Sequence, residues 1–309
     1  MKKRILFFGF ASIAIFTALQ LSAQVSITTD NSAPDGNAML DVKSSAKGIL
    51  VPRMTNVQIS TITSPATGLV VYCTDCNNGV GCLNVYEGGG WHCMGAMPIF
   101  VTTCGIQRVY YPVFAAGYVW LDRNMGAGRV AASSTDYQAY GELYQWGRKS
   151  DGHQCITWTS STSGTPQNGT TTTQCTGGTC ANALFVYSNA DWNSTTNNLL
   201  WRLPPKGDND PCPSGYRVPS IAELETLRLS FSTNNAAGAF GSPVKLTMPS
   251  GRNYFDGNLY GSVGSQGSYW STTIYDANNV YQLMFASSSG STTNWFFKAT
   301  GYSVRCIAN

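Results

Sequence analysis

Charge is what this chain has least of. Lys and Arg number 19 and Asp and Glu 16 in 309 residues, 11% in all, against roughly 25% in an average soluble domain. The net charge of +3, with no basic cluster beyond the N-terminus, leaves no electrostatic footprint for a nucleic-acid partner. Histidine is scarcer still. His92 and His153 are the 2 present, both beside cysteines, and no Ser/His/Asp set can be assembled around either. So few acids also single out no carboxylate pair for glycoside hydrolysis. After residue 21 no apolar run approaches the roughly 20 residues a bilayer-spanning helix needs.

What fills the space is Ser, Thr, Asn, 32 glycines and 12% aromatics, the composition of a loop-rich β protein on an outer surface. Lys2-Lys3-Arg4 followed by the apolar run Ile5–Leu21 and the small residue Ala23 reads as a secretory signal peptide over 1–23, leaving Gln24 first. No cysteine follows that point to carry a lipid. The expectation is a secreted or cell-surface protein, with no transmembrane segment in the mature chain. Ten cysteines in an oxidising compartment should pair, although their order of pairing is not readable. Cys73, Cys76, Cys82 and Cys93, with His92 beside them, have the residue types of a zinc site. Disulfides are the preferred reading, and no metal or cofactor is expected.

Residues 24–96 read as a first, β-rich region. Met39–Lys43 alternates weakly, Gly48–Thr55 is a short apolar strand ended by Pro52, Pro65–Tyr72 is a turn and strand, and Asn84–Trp91 is a strand broken by a glycine turn. No segment here has helical periodicity, and there is little apolar residue for a self-sufficient core. The series Ala38-Met-Leu-Asp-Val, Lys47-Gly-Ile-Leu-Val-Pro-Arg-Met-Thr55, Pro65-Ala-Thr-Gly-Leu-Val-Val-Tyr72 and Gly90-Trp91 resembles a leader module of exported Bacteroidetes proteins. It is also similar to stem segments of phage tail-fibre proteins. That resemblance implies a β-rich stalk, a homotrimer through it, and no catalysis.

Residues 97–309 read as a second region. Val109–Pro112 and Tyr118–Asp122 are strand-like, and Ser134–Gly147 has a helical face of Ala139, Tyr140, Leu143 and Trp146. Gln154–Cys180 is a Ser/Thr/Gly-rich excursion stapled to itself or to the core. Asp191–Leu203 carries two tryptophans and leads into Pro204-Pro205. Pro219-Ser220-Ile-Ala-Glu223 is a helix start with a capping box, and Ile221, Leu224 and Leu227 make its apolar stripe. Strands are expected at Val244–Met248, Tyr254–Leu259, Gly267–Thr273, Val280–Phe285, Asn294–Lys298 and Tyr302–Ile307. Cys306 is the one cysteine downstream of Cys212, and a Cys212–Cys306 bond would tie the last strand to the root of that helix. The sum is an α+β domain.

Val119-Trp-Leu-Asp-Arg-Asn-Met125, Tyr140-Gly-Glu-Leu-Tyr-Gln-Trp-Gly147, Asp210-Pro-Cys-Pro-Ser-Gly-Tyr-Arg-Val-Pro-Ser-Ile-Ala-Glu-Leu224, Gly267-Ser-Tyr-Trp-Ser-Thr272 and Gly301-Tyr-Ser-Val-Arg-Cys306 occur in one order. Together they resemble the Fibrobacter succinogenes major paralogous domain. The resemblance implies a C-type-lectin-like head with two helices and many short antiparallel strands. It implies no ligand. Calcium-dependent sugar binding is disfavoured, because Trp270-Ser271-Thr272 has no acid or amide where C-type lectins carry them. Tyr216–Glu225 is similar to a stretch of formylglycine-generating enzymes, but the Arg-Gly-Gly-Ser-Trp signature is missing, so a non-enzyme is expected. In C-type-lectin-like domains the late loops form the ligand face, which here means the interval 274–297.

Its Tyr275, Asp276, Asn278, Asn279, Tyr281, Asn294 and Trp295 are residue types that recognition surfaces use, flat contact area beside adaptable hydrogen bonds. The expected partner is a glycan or a surface protein, as for an adhesin. In such a fold Trp270 reads as core, and Trp295 equally as core or surface. Met125, Arg123 and Arg305 read as structural. A structural subunit of a surface filament, or a variable protein of a diversity-generating retroelement, fits the same composition.

Overall fold

The structure, a computed structural model, describes residues 24–76, 81–87, 89–94, 98–187, 190–201, 206–287 and 292–309. The expected leader (1–23), the 96/97 boundary and Pro204-Pro205 lie outside the described residues. Two compact units are present, one ending at Val51 and one running Pro52–Asn309.

In the first unit, β1 (Val25–Thr28) pairs in parallel with β2 (Leu40–Lys43). A parallel pair needs a crossover rather than a hairpin. The polar connection is held by the Asp41 carboxylate, which accepts the Asp35 N–H at 2.8 Å. Val25, Ile27, Met39, Leu40, Ile49 and Leu50 are all exposed.

The second unit starts with β3 (Arg53–Met54), placed after Pro52 rather than before it. A short helix, α1 (Asn56–Ser60), follows where none was expected. Thr55 and Gln58 build its capping box, the same sequence signature that marks Ser220 and Glu223. β4 (Val70–Cys73), β5 (Cys82–Glu87) and β6 (Gly90–Met94) complete a sheet ordered β3-β4-β5-β6 over a cluster of Ile59, Val71, Cys73 and Cys76. β7 (Ile99–Thr103) and β8 (Ile106–Tyr110) form a hairpin. β9 (Pro112–Ala115) and β10 (Tyr118–Leu121) form the next.

The helix expected over Ser134–Gly147 is not there. Only Tyr137–Ala139 make a 3-10 turn, and β11 (Tyr144–Gln145) follows directly. The cause is Gly141, which has φ +74° and packs so closely that a Cβ would sit 2.3 Å from the Met125 carbonyl oxygen. That close approach redirects the chain after one turn. The excursion expected over Gln154–Cys180 is stapled both ways, Cys104–Cys155 to the rest of the unit and Cys175–Cys180 to itself. It contains β12 (Ile156–Ser160), β13 (Ser163–Pro166) and β14 (Thr170–Thr171), and β14 pairs with β15 (Phe185–Val186).

β16 (Tyr216–Arg217) leads into α2 (Ile221–Leu229), whose Ser220/Glu223 capping box is formed as expected. α3 (Ala236–Gly241) is capped by Asn235. Val244–Met248 is buried but is not a strand. Its N–H groups go to the Ala239 carbonyl, the Tyr269 hydroxyl and the Ser134 carbonyl instead of a ladder. Tyr254–Leu259 is likewise turn rather than strand. β17 (Gln266–Ile274), β18 (Asn279–Ala286) and β19 (Thr292–Phe297) form one antiparallel sheet. β20 (Gly301–Tyr302) pairs with β11, and β21 (Ile307–Ala308) sits between β16 and β10. Cys212–Cys306 is formed.

Among the described residues strand accounts for 35% and helix, the 3-10 turn included, for 9%, in three short α-helices and many small sheets. The expected α+β, C-type-lectin-like head with two helices is therefore corrected to a mostly β architecture. Two further clusters hold the second unit together. One packs Trp120, Leu224, Leu227, Tyr269, Leu283 and Phe285, with α2 on one face of the β17–β19 sheet. The other packs Tyr144, Trp146, Trp201, Trp270, Val280 and Tyr302. Trp120, Trp146, Trp192, Trp201 and Trp270 are fully buried, and each donates its indole N–H to a backbone carbonyl. This is how so many large aromatics enter a core without leaving a donor unpaired.

Candidate functional site

The residues singled out between 274 and 297 are not all loop residues. Tyr275, Asp276 and Asn278 lie in the tight turn between β17 and β18, Asn279 and Tyr281 on β18, and Asn294 and Trp295 on β19. The β18–β19 connection at 288–291 lies outside the described residues. Side chains two apart in a strand share a face, and Tyr281 pairs directly with Trp295 across the ladder. β17 is bulged between Trp270 and Ile274, and Ser271–Thr273 leave the ladder for the root of α2. There Thr272 N–H donates to the Pro219 carbonyl at 2.8 Å, and Ile221 N–H to Thr273 Oγ1 at 3.0 Å. That bulge turns the strand end so that Tyr275 comes over the outer strand.

Three rings meet as a result. Tyr275 stacks on Trp295 at 4.9 Å between centroids and 11° between planes, and meets Tyr281 edge-on at 5.4 Å. Tyr275 is 48% and Trp295 43% exposed, so this is an aromatic surface and not core, whereas Trp270 is fully buried. Asp276 Oδ1 accepts from the backbone N–H groups of Asn278 and Asn279, and both carboxylate oxygens accept from Asn279 Nδ2. These bonds, the Asn279 side chain first and the Asn278 N–H second, hold its carboxyl below the usual range. Asp276 is thus a fixed anion that shapes the turn. Asn279 Oδ1 and Asn294 Oδ1 are buried with no hydrogen-bond partner.

One residue of this turn was missed in the sequence. Lys298 Nζ donates to the Ala277 carbonyl at 2.6 Å, and its backbone N–H to the Asn278 carbonyl at 3.0 Å, so a buried lysine pins the turn from below. Its alternation with Phe297 and its partners far away in sequence gave no local signal.

A second concavity, of about 540 Å³, was also missed. Arg108, Gln138, Glu142, Trp158 and Gln167 are among its lining residues. Burial pushes the Glu142 carboxyl up, and the Tyr144 hydroxyl donates to it at 2.5 Å. Arg108 Nε is buried without a partner.

The remaining expectations fall on structural positions. Met125 is buried, Arg123 pairs with Asp122, and buried Arg305 donates to Asn124 Oδ1, Leu121 O and Val244 O. His92 lies on β6, with Nε2 3.0 Å from the Glu87 carbonyl. The thiols read as zinc ligands or disulfides are in bonds Cys73–Cys76 and Cys82–Cys93. All ten cysteines are paired, which is consistent with an extracellular protein. Among the described residues no helix is long and apolar enough to cross a membrane.

No curated protein and no solved structure matches the chain, so the likeness to the Fibrobacter succinogenes major paralogous domain rests on its motifs alone. Residues 26–105 match the family model of a phage tail like trimerisation region, which fits the tail-fibre-stem likeness of the first region and points to a surface or structural fibre-like protein able to form a homotrimer.

Proposed function

We propose that the chain is an exported, non-catalytic recognition protein. Residues 24–96 act as a trimeric stalk, and residues 97–309 form a head that presents the Tyr275–Trp295–Tyr281 surface to a glycan or protein ligand. The observation that carries this reading is the exposed stack of Tyr275 on Trp295. Solvent-exposed stacked rings offer area for a sugar face or an apolar side chain, and polar groups beside them orient it. The trimerisation-like region supports multivalent display, in which weak single sites gain avidity. All ten cysteines are in disulfides, which leaves no thiol pair of the kind formylglycine-generating enzymes use. The ordered motifs of 118–307 support kinship with exported bacterial domains.

The test is a glycan and protein array probed with the whole mature chain and with a Tyr281→Ala/Trp295→Ala variant of matched circular dichroism. The expected outcome is about a five- to thirtyfold loss of affinity, the size of an aromatic contact of about 1–2 kcal/mol. Unchanged binding by the variant overturns the assignment of the surface.

A further inference from the structure

Lys298 is 1% exposed, yet its amine meets more than the turn it supports. Its backbone is fixed on both sides: the N–H donates to the Asn278 carbonyl, and its carbonyl accepts the Trp146 N–H at 3.0 Å. The amine lies 5.2 Å from the centroid of the buried Trp146 ring. Nζ is 2.6 Å from Asn198 Oδ1 and 3.7 Å from Asp191 Oδ2. A carbonyl bond is about 1.23 Å long, so Asn198 Cγ lies within about 3.8 Å of the amine nitrogen. Attack geometries begin at about 3–3.5 Å, a few tenths of an ångström away. The segments are held side by side, with Ala299 N–H donating to the Ala190 carbonyl at 3.2 Å.

We propose that Lys298 and Asn198 condense into an intramolecular isopeptide bond, with Asp191 carrying the proton. The neutral amine forms a bond from Nζ to Asn198 Cγ. One amine proton passes to the Asp191 carboxylate and from that carboxyl to Nδ2, while the other stays on the new amide. The Cγ–Nδ2 bond breaks and ammonia leaves. An amine and a primary amide give a secondary amide and ammonia, and no oxidant or cofactor is required. Burial works in the needed direction on both partners, lowering the proton affinity of Lys298 and raising that of Asp191. Asn198 is itself exposed, which gives ammonia an exit to solvent.

The bond would close the interval 198–298, which overlaps the interval 212–306 closed by Cys212–Cys306. Two interlocked covalent loops would then secure α2 and the β17–β19 sheet. This suits a fibre-like protein under load and does not depend on the ligand reading.

The test is protease digestion of the whole purified chain after reduction, followed by fragmentation mass spectrometry. The expected result is a branched peptide joining the Asn198 and Lys298 segments, lighter by one ammonia than the two linear peptides. Cyclisation of Gln24 or of Asn198 would also shed ammonia, so the joined peptide decides and the intact mass alone does not. Asn198→Ala and Lys298→Arg should yield separate peptides. Asp191→Asn should slow joining by about 100-fold or more, as loss of a positioned proton carrier does. Unmodified Lys298 and Asn198 in separate linear peptides of the parent chain, even after prolonged incubation, overturn the proposal. Joining at the parent rate in Asp191→Asn overturns the role of Asp191.

Discussion

The stretch matched to a trimerisation region and the rest of the chain bury their apolar residues in opposite ways. Among the described residues, ten large apolar side chains within 26–105 are exposed, against seven in the much longer stretch 106–309. The cluster formed by residues 59–76 has four buried members, whereas those built almost wholly from residues beyond 105 have fourteen and thirteen. Beyond residue 105 the chain even encloses the cations Arg148, Arg252 and Arg305, each supplied with acceptors. Exposed Leu and Ile in one region and enclosed Arg in the other point to different sources of stability. The first leaves apolar area that a partner could cover, and the second is satisfied by its own packing.

The largest way to break that comparison is to ask whether the first stretch is covered. The mature chain should sediment at the mass of three copies, and an Ile49→Glu/Leu50→Glu variant at a lower mass. Each buried Leu or Ile side chain contributes about 1.5–3 kcal/mol, and the double change affects all three copies. A monomeric parent chain in sedimentation velocity would remove the contrast.

Disulfides give the next contrast. Cys212–Cys306 spans 94 residues and Cys73–Cys76 spans 3. Loop-closure entropy assigns about 5 kcal/mol to the long loop and about 2 kcal/mol to the short one. The double Cys→Ser change at 212 and 306 should therefore lower the urea midpoint far more than that at 73 and 76. Equal shifts would mean that chain entropy is not what these bonds supply.

What the sequence made legible follows the same division between local and distant causes. The cap at Ser220, the stripe Leu224/Leu227 and the Cys212–Cys306 closure were readable because each signal lies within a few residues or is set by order along the chain. The α1 cap at Thr55 obeys the same rule and was passed over, because a helix of five residues shows no periodicity. The false helix at Ser134–Gly147 had the periodicity and failed at Gly141, whose contact with the Met125 carbonyl is tertiary. Val244–Met248 had the apolar content of a strand, but its N–H groups go to Ala239, Tyr269 and Ser134 rather than to a ladder. At the candidate site the residue types were readable. That β17 bulges and stacks Tyr275 on Trp295 was not, nor was Lys298, whose partners lie 21 and 100 residues away.

The enclosed polar groups carry a pH prediction. His153 is fully buried, accepting the Gln145 N–H at Nε2 and bonding Asp151 through Nδ1. Burial, then the charge of nearby Arg148, pushes it down to about 4 from 6.5. A base with a depressed folded value binds more protons when unfolded, so its contribution is complete above about 6.5 and is lost as pH falls toward 4. The full shift corresponds to about 3 kcal/mol. Urea midpoints of the parent chain should fall through this window, and His153→Gln should flatten that part of the profile. An equal slope in the variant would assign the acid sensitivity to the carboxylates alone.

The smallest effect separates two helices with the same cap. Ser220→Ala removes a half-buried cap whose partner Glu223 is also held by Arg217 at 2.6 and 2.9 Å, on a helix that covers the largest cluster. Thr55→Ala removes an equivalent bond on a five-residue helix beside the four-member cluster. Such caps contribute about 0.5–2 kcal/mol. The Ser220 change should sit near the upper end and lower the global midpoint. The Thr55 change should sit near the lower end and show mainly as faster amide exchange around residues 56–60, because a small cluster couples weakly to global unfolding. A Thr55→Ala variant as destabilised globally as Ser220→Ala would mean that the β3–β6 sheet is a full part of the second unit's cooperative core.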